Sequence, residues 1–208
     1  MKKKKSILIT GGAGFLGSHI VDSLIRKHFN ITIIDNLAST KHPTFVNPKA
    51  DFIEIDINNK NLKKTLESIN PEIIIHAASQ ISVSESSKNP INDAKINIIG
   101  SLNILESIKD IPECYFVFIS SGGAIYGENI GPPVKENKLC SPESPYALSK
   151  LTVENYIKYY SISHKLKHLI VRPGNIFGPR QNPYGESGVV SIFTNLMLKK
   201  QRVSIYGD

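Results

Sequence analysis

The chain has only two cysteines, Cys114 and Cys140, among its 208 residues. They show neither metal-ligand spacing nor a C-x-x-C pattern, so reduced, structural thiols are expected. The six histidines form no H-x-x-x-H or similar cluster, and no metal site is expected. Long apolar runs are missing as well. The longest, such as Glu72–Ala78, have the length of a strand, against the roughly 20 residues needed to cross a bilayer. Lys2–Lys5 lead into a short apolar stretch that runs straight into Gly11-Gly12. A secretory signal needs a longer apolar region and a small-residue cleavage site. The chain is therefore expected to be cytoplasmic, with no membrane association.

A net charge of +7 invites a nucleic-acid reading. The N-terminal run holds four of the lysines, the others are scattered, and no basic stripe is interleaved with aromatics, so no nucleic-acid partner is expected. Weak attraction of anionic ligands is what the charge supports. Hydrophobic residues make up 40% and charged residues 21%, as in ordinary globular proteins.

What is present is an alternation of short apolar runs and helical patterns. Strands are expected at Ile7–Thr10, Ile31–Asp35, Asp51–Asp56, Ile73–His76, Tyr115–Ser120, His168–Arg172 and Val203–Tyr206. Helices are expected at Phe15–His28, Leu62–Ile69, Asn92–Ile108, Pro145–His164 and Val189–Lys199. Such an order implies right-handed βαβ crossovers: an α/β, Rossmann-type doubly wound parallel sheet with helices on both faces. The polar stretch Ser121–Ser144 is too long for a simple connection and is expected to serve a site.

Thr10-Gly11-Gly12-Ala13-Gly14-Phe15-Leu16-Gly17 follows a strand and opens a helix. Gly11 permits the sharp turn, Gly14 lets the backbone approach a pyrophosphate, and Gly17 lets the helix pack against the sheet. The helix N-terminus offers N–H groups to the phosphates. The second strand ends at Asp35-Asn36. A carboxylate there accepts hydrogen bonds from ribose hydroxyls and repels the additional phosphate of NADP, so NAD is the expected cofactor. No arginine follows in Asn36–Thr40, and Lys41 is the one basic residue nearby. Asp56-Ile57 either contacts adenine or is an ordinary strand end.

Tyr146 and Lys150 lie four residues apart after Pro145, which suits a first helical turn. A lysine on the same face is expected to lower the phenol pKa, with further help from a positive nicotinamide ring, making Tyr146 a general base. Lys150 can also hold the nicotinamide ribose.

With TGGAGFLG, Asp35-Asn36, Asp56-Ile57, HAAS (His76–Ser79), Asn97 with Gly100, SSGGAIYG (Ser120–Gly127), SPYALSK and RPGNIFGPRQ (Arg172–Gln181) in order, the chain resembles the extended short-chain dehydrogenase/reductases. It is most similar to their UDP-glucose 4-epimerase group. The resemblance implies NAD-dependent epimerisation of a UDP-hexose at C4 through a transient 4-keto sugar. It implies cofactor contacts from Gly11, Gly14, Phe15, Leu16, Gly17, Asp35, Asn36, Asp56, Ile57, Ala77, Ala78, Ser79, Asn97, Ser120, Tyr146, Lys150 and Pro173. Tyr146, Lys150 and Ser121 would be catalytic, and Ser121, Asn175, Val189 and Tyr206 would touch the nucleotide sugar. The family usually has Ser or Thr where this chain has Gly122; the nearest hydroxyls are Ser121 and Ser120, and Ser121 is expected to serve, the alternative being that it only caps the loop. The carboxylate pair of sugar 4,6-dehydratases and the Glu of nucleotide-sugar decarboxylases are absent from Gly122–Ile125.

The resemblance also implies a homodimer formed through the two long helices. It divides the chain into an NAD-binding domain, residues 1–175, and the beginning of a small nucleotide-sugar lobe, residues 176–208. Because the sequence stops at Tyr206-Gly207-Asp208, it is expected to be an incomplete enzyme that keeps NAD binding better than activity. Two other readings stay open. A 4-ketoreductase would consume reduced cofactor stoichiometrically. A non-catalytic NAD-binding module would tolerate loss of Tyr146 or Lys150.

Overall fold

In chain order the elements are β1 (Ser6–Thr10), α1 (Phe15–Arg26), β2 (Asn30–Asp35), β3 (Asp51–Glu54), α2 (Leu62–Ile69), β4 (Ile73–His76), α3 (Val83–Lys88) and α4 (Pro90–Ala94). After a π-helical turn (Lys95–Ile99) come α5 (Gly100–Ile108), β5 (Tyr115–Ile119), α6 (Pro145–His164), β6 (Lys167–Val171) and α7 (Val189–Leu198). The structure, a computed structural model, describes residues 5–38, 44–111, 113–127, 131, 133–184 and 188–205. Among them, six strands form one parallel sheet in the order β3-β2-β1-β4-β5-β6. That order is the doubly wound Rossmann arrangement expected from the alternation.

Successive residues of β1 point to opposite faces of the sheet, and the two cores follow from it. Ile7 and Ile9, with Ile31 and Ile33 of β2, pack under Val21, Ile20 and Leu24 of α1. Leu8, Ile34, Ile74, Phe116 and Phe118 face the other way, onto Leu62 and Leu66 of α2, Ile104, Leu105 and Ile108 of α5, and Val153 and Ile157 of α6. Strands buried on both faces read as continuous apolar runs such as Ile73-Ile74-Ile75. No helix among the described residues is long and apolar enough to cross a membrane.

Several boundaries differ from the sequence expectation for local reasons. Helix α1 ends at Arg26, because the Lys27 and His28 N–H groups turn back to Leu24 and Ile25 and His28 takes a left-handed φ of 65°. Strand β3 ends at Glu54, two residues early, where Asp56 folds back to accept the Asn58 N–H. Strand β5 stops at Ile119, β6 runs Lys167–Val171, and α7 ends at Leu198. The expected Asn92–Ile108 helix begins earlier, at Pro90, and carries the π turn. Residues 203–205 form no strand, and Tyr206 lies outside the described residues, as does Lys41.

Helix α3 lay outside the sequence reading. Its Ser82 side chain accepts the Glu85 N–H, the reciprocal Ser-x-x-Glu spacing of a helix start. Helix α6 is opened by Ser144, which accepts the Ala147 N–H, with Pro145 in its first turn. The C-terminal ends of β1, β2, β4 and β5 thus converge where the order reverses between β1 and β4. This is the crevice in which such sheets bind ligands.

Candidate active site

Gly11 and Gly17 of the first loop are set by close approaches. Gly11 has φ +69°, and a Cβ there would sit 2.6 Å from the Ala78 backbone nitrogen. A Cβ on Gly17 would lie 2.1 Å from the Gly11 carbonyl oxygen, so a side chain at that position would push α1 off the loop. Gly14 is exposed, and no side chain caps the first turn of α1. Phe15 and Leu16 follow, half-buried. An open glycine before an uncapped helix N-terminus fits the pyrophosphate of a dinucleotide.

Asp35 ends β2 and organises this loop. Its Oδ2 accepts the Ala13 N–H at 3.0 Å and its Oδ1 the Leu37 N–H at 2.9 Å. A carboxylate has about four acceptor positions, so capacity for ribose hydroxyls remains. Asn36 is exposed and donates from Nδ2 to Asp56 Oδ2 at 2.5 Å. Asp56 is thereby tied to the loop after β2 and, through the Asn58 N–H, to its own turn. Ile57 is buried against Gly100, where a Cβ would come within 2.4 Å of Ile57 Cδ1. The Ile57 side chain belongs to the core, and its carbonyl accepts from Asn103 Nδ2 at 3.3 Å.

Tyr146, Lys150 and Ser121 come together at the ends of β5 and α6. Ser121 is hydrogen-bonded to the Tyr146 phenol. Ser120 faces elsewhere: it is buried and donates to Glu154 Oε1 at 2.6 Å, and its N–H is bonded to the Val171 carbonyl. Gly122 explains the displaced hydroxyl. A Cβ at Gly122 would meet the Arg172 carbonyl oxygen at 2.8 Å and that of Pro173 at 3.0 Å, and its N–H is bonded to Pro173. This backbone leaves no room for a serine at position 122.

Lys150 is buried. Its Nζ donates to the Ile119 carbonyl at 3.0 Å and lies 5.0 Å from the Phe118 ring centre and 5.8 Å from that of Tyr146. Burial brings its pKa down to about 8, opposed by the charge of Asp93. The Tyr146 phenol is raised above its ordinary value, first by burial and then by Asp93, while the Ser121 hydrogen bond opposes both. The expectation that Lys150 lowers the phenol is therefore corrected. Loss of solvent dominates, and the ammonium is engaged with Ile119 rather than with the phenol oxygen.

Beneath the pair lies a polar network that the sequence did not reveal. The loop after β4 runs Ala77-Ala78-Ser79-Gln80. Ala77 and Ala78 are held by Thr10 through its carbonyl and hydroxyl. Asn97, in the π turn, accepts from the Ser79 hydroxyl and the Gln80 N–H and donates to the Gln80 carbonyl. Asp93 accepts from Gln80 Nε2, Asn97 Nδ2 and the Ser149 hydroxyl. His76 bridges Thr10 at 2.7 Å and Ser101 at 2.8 Å, and Ser101 in turn contacts the Asn97 carbonyl. Because that carbonyl can only accept, Ser101 donates to it, and His76 carries its proton on Nε2. Burial, reinforced by the charge of Lys150, lowers the His76 pKa to about 3, so the ring is neutral.

A second buried cluster shapes the long Ser121–Ser144 segment. Arg172 is bidentate to Glu154, at 2.9 and 2.5 Å, and also donates to Tyr126 and to the Glu136 carbonyl. Ser86 of α3 accepts the Tyr146 N–H, so the unforeseen helix helps seat the start of α6. On the far side, Pro173 is half-buried, and Asn175 and Val189 are exposed. Asn175 Oδ1 would meet a Cβ on Gly123 at 3.0 Å, which places it beside the serine loop. Val189 opens α7, none of whose residues is buried. The segment after Asn175 crosses α1: Pro179 is bonded to His19, and Arg180 pairs with Asp22 at 2.6 Å.

Residues 7–208 match the family described as "NAD dependent epimerase/dehydratase family". The chain is 47% identical over 202 residues to a Methanocaldococcus jannaschii protein provisionally named a UDP-glucose 4-epimerase, covering 97% of this chain and 66% of that protein. It superimposes on the Thermotoga maritima UDP-glucose 4-epimerase crystallised with UDP-glucose with a TM-score of 0.92 at 42% identity, over 98% of this chain and 66% of that one. The Thermus thermophilus UDP-glucose 4-epimerase in complex with NAD gives a TM-score of 0.89 at 39% identity, over 95% and 64%. The chain thus spans just under two thirds of the length of these relatives.

Proposed function

The chain belongs to the NAD dependent epimerase/dehydratase family, and from that premise we propose that it provides the NAD-binding and catalytic part of a UDP-hexose 4-epimerase. The observation that carries the proposal is the meeting of Ser121, Tyr146 and Lys150 beside a glycine loop built for a pyrophosphate. No carboxylate stands in Gly122–Ile125, which argues against elimination of water and for simple inversion at C4.

In this reading Tyr146 takes the proton of the C4 hydroxyl and later returns it, while Ser121 holds the sugar oxygen by a hydrogen bond. When bound, NAD supplies the acceptor that takes hydride from C4 and gives it back to the opposite face, together with a positive ring that favours the Tyr146 phenolate. Lys150, held by Ile119, positions the nicotinamide ribose. Asp35 takes the adenosine ribose and selects NAD, and Asn36, Asp56 and the Ile57 backbone flank the adenine side. Ala77, Ala78, Ser79 and Pro173 line the nicotinamide end, and Asn97 acts there by clamping Ser79 and Gln80. Asn175, Val189 and Tyr206 are assigned to the nucleotide sugar, with residues 1–175 as the cofactor domain and 176–208 as the start of the sugar lobe.

Glucose/galactose is the proposed sugar pair, in cytoplasmic carbohydrate metabolism. A homodimer is proposed through α5 and α6, where Leu148, Tyr159 and Ile162 are exposed. The test is incubation of the protein with a panel of UDP-sugars, reading C4 stereochemistry, with no reduced cofactor added. Tyr146→Phe is expected to lower turnover about 100-fold or more. Normal turnover by that variant, or a stoichiometric demand for reduced cofactor, would overturn the reading.

A further inference from the structure

Asp93 is almost wholly buried, at 1% exposure, and no role has been given to it by the chemistry above. It sits in α4, four residues before Asn97, and three side-chain donors converge on it. Gln80 Nε2 and Asn97 Nδ2 reach Oδ1 at 2.9 and 3.0 Å, and the Ser149 hydroxyl reaches Oδ2 at 2.6 Å. The Asn97 amide orientation is fixed by its backbone partners at Gln80, so its NH2 group does face Asp93. Three donors and no acceptor is the environment of an ionised carboxylate.

The donors come from three different places: the loop after β4, the π turn, and α6 at the residue before Lys150. One carboxylate therefore ties the loop that would face the nicotinamide end to the helix that carries Tyr146 and Lys150. Its charge also reaches both of those groups. A buried ammonium without a counter-charge loses its proton. The other titratable groups around Lys150 do not supply one. His76 at the end of β4 is neutral, Tyr146 is a phenol, and Glu154, one helical turn along α6, is engaged by Arg172 and Ser120.

We propose that Asp93 is the buried counter-charge of the Tyr146–Lys150 pair and a positioning residue for it, holding Lys150 in its ammonium form and locking the catalytic helix to the loop after β4. The assignment rests on the reading of Tyr146 and Lys150 as the working pair, yet it concerns the protein before any sugar binds.

The test is an NMR titration of the lysine Cε resonances in the full chain, with Lys150 assigned by its absence in Lys150→Arg. In Asp93→Asn the Lys150 midpoint is expected to fall by about one pH unit or more. An unchanged midpoint in a folded Asp93→Asn protein would overturn the proposal. Should that variant not fold, the unaltered protein decides: the Asp93 Cγ resonance must shift through the pH range in which Lys150 loses its proton. A Cγ resonance that stays still there would overturn it equally. Coupled resonances in a protein that binds no NAD would defeat the functional reading alone.

Discussion

Helices α6 and α7 make an instructive pair. Helix α7, Val-Val-Ser-Ile-Phe-Thr-Asn-Leu-Met-Leu, is the more apolar by sequence, yet none of its residues is buried. Helix α6 carries Lys, Glu, Ser and several Tyr residues, yet seven of its 20 residues are buried, among them Lys150 and Glu154. Apolar content alone does not place a helix. Helix α6 is fixed because each buried polar group has a partner on another element: Glu154 with Arg172 and Ser120, Ser149 with Asp93, Lys150 with Ile119. The cofactor side is held in the same way, Asp35 on Ala13 and Asn97 on Gln80. The side proposed for the sugar is more open: Asn175 and Val189 are exposed, and the segment between them is pinned to α1 through Pro179 and Arg180.

The contrast can be broken most severely at Glu154, which has no solvent exposure. Glu154→Ala leaves a partly buried guanidinium without its bidentate partner and an empty, fully buried site beside Ser120, and is expected to cost about 3 kcal/mol, read by urea denaturation. A cost under about 1 kcal/mol would show that the polar scaffold does not hold α6.

Next come matched apolar truncations. Ile157→Ala, in the core beneath α6, is expected to cost about 3 kcal/mol. Leu198→Ala, at 81% exposure in α7, should stay within about 0.5 kcal/mol. Equal costs would mean that α7 packs as tightly as α6.

The third effect is graded with pH. His76 has a folded pKa of about 3 against 6.5 when free, so between these values the unfolded chain binds the additional proton. Stability therefore rises with pH through that window and is lost as pH falls from 6.5 toward 3. The slope from this one group is at most about 1.4 kcal/mol per pH unit. Urea midpoints measured across the window should show the slope in the parent chain and a shallower one in His76→Gln.

Residues that act through local sequence were legible and the others were not. The glycine loop, the strand-end Asp35 and the Tyr146–Lys150 spacing each lie within a few residues, where turn geometry and helical periodicity speak directly. The doubly wound parallel sheet followed from the βαβ alternation. Asp93, Ser86 and the Glu154–Arg172 pair work through contacts 56, 60 and 18 residues away, which no local pattern encodes. Helix α3 was legible in principle through Ser82 and Glu85, but its six residues carry too few apolar positions to show a period. The Tyr146 phenol was misjudged because spacing reports that Lys150 is near and not which atom it binds.

The central claim is that the first loop and Asp35 hold NAD in preference to NADP. Calorimetric titration of the chain with each dinucleotide tests it most directly. The account predicts saturable binding of NAD and, for NADP, binding roughly tenfold weaker or more, because Asp35 repels the added phosphate. Equal or tighter binding of NADP, or no binding of either, would contradict it.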